Sequence, residues 1–142
     1  MSKVRPATPG LERFARETLG CSCPPEVFSR AAEDRSPVPG CPEIRRRISV
    51  GDRLLIYLAE PADADLALER IGVWVATGRA ERDRRGMNRL RLVVALDGLN
   101  PATTAAMQHA FSKLPELQLA GTAAKDPRIH LHCLPQDALA SI

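Results

Sequence analysis

Arg53-Leu54-Leu55-Ile56-Tyr57-Leu58-Ala59 is apolar at odd and even positions alike, the pattern of a central strand covered on both sides. Gly51-Asp52 lies just before it, and Ile44 to Val50, alternating weakly through Ile48 and Val50, lies before that. Two strand-like runs joined by a Gly-Asp pair predict a hairpin. Arg89 to Leu96 adds a strand with Leu90, Leu92, Val94 and Leu96 on one face and Arg89 and Arg91 on the other. A last strand is expected over Arg128 to Leu134. Ile129, Leu131 and Cys133 point one way along it, and His130 and His132 the other.

Helices fill the intervals. Thr8 is placed to cap a first helix with Pro9 at its first position, Leu11, Phe14, Ala15, Thr18 and Leu19 on one face, and Gly20 as a left-handed stop. A shorter second helix is expected from Cys23, with Pro24 and Pro25 in its first turn, Glu26 at the capping-box position, and Val27, Phe28 and Ala31 as its apolar face. Pro61 to Asp65 starts a third, carrying Leu66, Leu68, Ile71 and Val75 to an end near Gly78. Val73-Trp74-Val75 also fits a strand, so residues 71–80 are open between the two. Asn100-Pro101 opens a fourth along Ala105, Ala106, Ala110, Phe111 and Leu114. The fold class is therefore α+β: one layer of helices on an open mixed sheet of about four strands, in the order ααββαβαβ.

The 142 residues suit a single domain, 1–142, with 1–8 as a flexible tail. Ser36-Pro37, Pro39-Gly40 and Cys41-Pro42 mark 33–43 as a mobile loop. The 20 basic and 17 acidic side chains leave a net charge of +3, too little to imply a polyanion partner. No apolar run approaches the ~20 residues of a membrane span. Met1 to Pro6 lacks the apolar stretch of a secretory signal, so a cytoplasmic protein is expected. Aromatics at 4% offer few stacking platforms for single-stranded nucleic acid.

Gly20-Cys21-Ser22-Cys23-Pro24-Pro25-Glu26 is the densest chemical signal. A cysteine at a helix N-terminus has its thiolate stabilised by unpaired N–H groups and a partial positive charge. Cys21 and Cys23 are thus candidates for binding a metal ion or an iron–sulfur cluster, or for thiol redox work. Against this, cysteine packs well as a small hydrophobe, and C-x-C fits neither paired zinc patterns nor ferredoxin spacings. Leu11 to Phe28, LERFARETLGCSCPPEVF, resembles the start of a family of small prokaryotic proteins with a GCxCPxxVF segment. The resemblance implies that the cysteine segment is a family feature, and it brings no activity, cofactor or catalytic residue with it.

His130 and His132 share a strand face at a spacing that suits zinc or copper, and with Cys21 and Cys23 they would make a Cys₂His₂ set; Cys41 is a further donor. Solvated histidines on a half-exposed strand explain the same pattern. The two sets are expected to lie apart, because the helix bearing Leu11 and Phe14 should cover the sheet face that these histidines turn away from. The arginines Arg79, Arg82, Arg84, Arg85, Arg89 and Arg91 form a third candidate, a cofactor-free surface for a protein or nucleic-acid partner. Glu81 and Asp83 interrupt it, as they would a solvated loop with local ion pairs. A homo-oligomer is also open. No phosphate loop, nucleophile elbow or H-E-x-x-H is present, and no catalytic residue is assigned.

Overall fold

The computed structural model describes residues 3–5, 9–20, 25–119, 122 and 124–142. Strand β1 (Lys3–Arg5) is followed by helix α1 (Pro9–Arg13), which widens into a π-helical stretch, Phe14–Thr18. A 3₁₀ turn, Pro25–Ser29, leads into β2 (Ala31–Asp34), β3 (Ile44–Val50) and β4 (Leu54–Ala59). Helix α2 (Ala64–Arg84), β5 (Arg89–Leu96), α3 (Pro101–Ser112) and β6 (Ile129–Pro135) complete the main elements, with 3₁₀ turns at Pro115–Leu117 and Gln136–Ser141.

The protein is α+β as expected, but among the described residues its mixed sheet has six strands where about four were expected, in the spatial order β1-β2-β3-β4-β5-β6. The first four pair antiparallel, and β4-β5 and β5-β6 pair parallel across α2 and α3. The order ααββαβαβ fails at its start. Lys3–Arg5, inside the expected tail, is an edge strand on β2. Ala31, expected on a second helix, begins β2 beside Val50, and that helix is reduced to the Pro25–Ser29 turn. Glu33 and Asp34 belong to β2, and the rest of the expected loop is anchored by Val38 and Cys41, both buried.

Helices cover both faces, not one. Against α2 and α3 lie Leu55, Tyr57, Leu90, Leu92, Ile129 and Leu131, meeting Ile71, Trp74, Met107 and Phe111. Ile48, Val50, Ile56, Leu58, Val93 and Ala95 face the other way, onto Leu11, Phe14, Leu19, Phe28 and Leu139. With a layer on each side, all six residues of β4 are buried, which is why its sequence shows no alternation. Strand β3 changes face within itself. A register shift between Ile44 and Arg46 leaves Ile44 in the α2 core and Ile48 and Val50 in the opposite one, so its alternation reads as weak.

Local signals hold at the expected places. Asn100 caps α3 by accepting from the Thr103 N–H at 2.9 Å, and Asp63 caps α2 by accepting from Leu66 at 2.8 Å. Gly51 and Asp52 both take positive φ, 58° and 56°, as a tight hairpin turn requires. Residues 71–80 are helical, and α2 runs six residues beyond Gly78 to Arg84. Gly78 is a point of contact and not a stop: a Cβ there would stand 2.8 Å from Leu90 Cδ2. On α3, Met107 and Phe111 form the buried face while Ala105 and Ala106 are exposed.

Candidate functional site

The parallel register of β5 and β6 sets Arg91 beside His130 and Val93 beside His132. Strand alternation turns Arg91, His130 and His132 away from α2 and α3, onto the sheet face that α1 covers. Arg91 is only 7% exposed. Its Nη1 donates to His132 Nε2 at 3.3 Å, so the proton of the neutral ring sits on Nδ1. Arg91 Nε and His130 Nε2 are enclosed with no hydrogen-bond partner among the described residues. Burial, then the charge of Arg91, pulls the His132 pKa down to about 4, and burial with Arg91 and Arg89 lowers that of His130. Both imidazoles are neutral at pH 7. Arg91 itself is lowered by burial and by Arg89, yet a guanidinium keeps its charge in proteins.

The other arginines expected to share a surface with Arg91 go elsewhere. Arg79 donates to the carbonyls of Glu116 and Gln118 at 2.9 and 2.7 Å. Arg82, 2% exposed, reaches Asp126 at 2.7 Å and Asp83 at 2.9 Å. Arg85 pairs with Glu81 at 2.8 Å, Arg84 is exposed, and Arg89 is half-buried. The stretch Arg79–Arg84 is the end of α2, with Arg85 as its C-cap, and not a loop, so its side chains radiate at 100° steps and make no single patch.

Cys21 and Cys23 lie outside the described residues. Their neighbours are placed: Gly20 takes φ 71° after the π-helical stretch, and Pro25 opens the 3₁₀ turn. Five residues of 3₁₀ helix give a far weaker dipole than the expected α-helix, so that support for a thiolate shrinks. Leu19 and Phe28, flanking the cysteines on either side, are both buried on the Arg91 face. The expected separation of cysteines and histidines therefore rested on a wrong premise, since α1 packs on the face to which His130 and His132 point.

Cys41 is fully buried in the opposite core, 3.5 Å from Thr77 Oγ1, with the sheet between it and both histidines. It cannot join them as a ligand. Cys133 packs against the α2–α3 core, and burial pushes its thiol up to about 11. Among the described residues no three His, Cys, Asp or Glu side chains come together as a metal site. No described helix is long and apolar enough to cross a membrane.

One polar cluster had no signal in the sequence. Glu81, 5% exposed, accepts from Tyr57 Oη, from Arg47 Nη1 at 3.1 Å and from Arg85 Nη1 at 2.8 Å. It floors an open cleft of about 460 Å³ walled by Val38, Pro39, Ala76 and Ala80. Burial raises the Glu81 pKa, and the bonds from Tyr57, Arg85 and Arg47 outweigh that and leave it below the usual range. With its carboxylate fully engaged, this cluster ties α2 to β3 and β4. No family model, curated protein or solved structure matches the chain.

Proposed function

We propose that this is a small accessory protein that works through Cys21 and Cys23, as reactive thiols or as ligands of a metal ion or iron–sulfur cluster, on the sheet face bearing Arg91, His130 and His132. The observation that carries the reading is the placement of Leu19 and Phe28, which anchors both flanks of the cysteine segment on that face. A buried guanidinium lowers the pKa of a thiol near it, and no carboxylate pairs with Arg91 to oppose the effect. The two neutral imidazoles are in the protonation state that a metal needs. Arg91 repels positive charge, which supports thiolates over a bare cation.

The alternative, a cofactor-free module that engages a partner through Arg79–Arg91, has less to stand on with Arg82 and Arg91 buried on opposite faces. Alkylation of native protein at neutral pH, mapped by mass spectrometry, tests the proposal. Cys21 and Cys23 are expected to react faster than a small unperturbed thiol, or to be protected by stoichiometric metal in protein purified without oxygen. Cysteines that do neither would end the proposal.

A further inference from the structure

We infer that Arg91, flanked by His130 and His132, is a receptor for one small oxyanion, a carboxylate or phosphate group supplied from outside the chain. All 17 aspartates and glutamates of the sequence lie among the described residues, and none pairs with Arg91. The residues not described include no aspartate or glutamate. A guanidinium withdrawn from water without a counter-charge is costly, and it cannot escape by losing its proton. Elsewhere this fold meets that cost internally: Arg47 has Asp34 and Glu81, and Arg82 has Asp126. Among the described residues Arg91 has only a neutral imidazole.

The guanidinium is also left with hydrogen-bonding capacity. Nη1 is used by His132 and Nε is enclosed, whereas Nη2 has no hydrogen-bond partner among the described residues and is not among the enclosed atoms. That edge is where an oxyanion can dock. The imidazoles beside it supply polar contacts without a second fixed charge, which suits a single anionic group. A side chain this enclosed meets the end of a small molecule and not a duplex backbone, where phosphates are read by exposed arginines and lysines.

The inference does not depend on the cysteines. Its test is NMR of the three histidine rings in the full chain, titrated separately with inorganic phosphate and acetate at fixed pH and ionic strength. His109, exposed on α3, is the internal control. Saturable shifts of His130 and His132, with His109 unmoved, are expected for at least one anion, and which anion acts identifies the source. Arg91→Met should weaken the response at least tenfold. Cys21→Ser/Cys23→Ser should keep it, whatever the alkylation experiment shows. No shift, equal movement of all three rings, undiminished binding in folded Arg91→Met, or loss of binding with the cysteines would each overturn the inference. If Arg91→Met does not fold, the wild-type pattern against His109 decides.

Discussion

Replacing Arg82 with methionine is expected to destabilise the protein by about 3–5 kcal/mol, the range for removing one partner of a buried ion pair. Arg82 and Asp126 are 2% and 0% exposed at their side chains, and the 2.7 Å bond between them joins the end of α2 to the segment entering β6. Burial alone would raise the Asp126 pKa, but the bond from Arg82 and the Arg128 N–H hold the carboxylate below its usual range. Without Arg82 the carboxylate must stay charged without its main counter-ion or take up a proton. Arg82→Met/Asp126→Asn removes both charges and should recover part of the loss. Urea unfolding of the three proteins measures this. A single-variant loss under about 1 kcal/mol would show that the pair is hydrated and not internal.

Gly51→Ala should cost about 2–5 kcal/mol, from two sources. The residue has φ 58°, which costs a side-chain-bearing residue about 1–2 kcal/mol. A Cβ would also stand 2.5 Å from Val27 Cβ and 2.8 Å from the Val27 backbone, and overpacking of that kind adds about 1–3 kcal/mol. The backbone cannot easily withdraw, because the Gly51 N–H donates to the Arg30 carbonyl at 2.6 Å. Gly98→Ala is the control: its φ is 68° with nothing within 4 Å of the new Cβ, so only the backbone part is lost. Equal losses in the two variants would mean that Val27 yields to the intruding methyl.

These residues also mark how far the sequence could be read. Gly51-Asp52 carries a local rule, and the hairpin followed from it. Asn100-Pro101 likewise announced α3. Gly78 obeys no local rule. As a helix stop it truncated α2, when its reason is the approach of Leu90 across the layer. Periodicity separated Arg91 from Leu90 correctly, but it could not say which face α1 would cover. That choice depends on β1 and β2, whose pairing is non-local, and on the slip between Ile44 and Arg46, which reverses the face of β3. The arginine run shows the same limit. Six residues close in sequence are divided between a helix end and a strand, and so point to unrelated surroundings. That Arg91 stands without a carboxylate is a fact of tertiary placement, and no motif records it.

Whether the Arg91 face serves the chemistry of Cys21 and Cys23 is read from the titration of those thiols. The measurement is the pH dependence of alkylation at each cysteine, in metal-free protein and phosphate-free buffer, for wild type and Arg91→Gln. An opposite charge nearby shifts a pKa by about 1–3 units. At least one of the two thiols should therefore titrate below the ordinary value of about 8.5 in wild type and move up by about one unit in the variant. Thiols that titrate at the ordinary value in both proteins would contradict the claim.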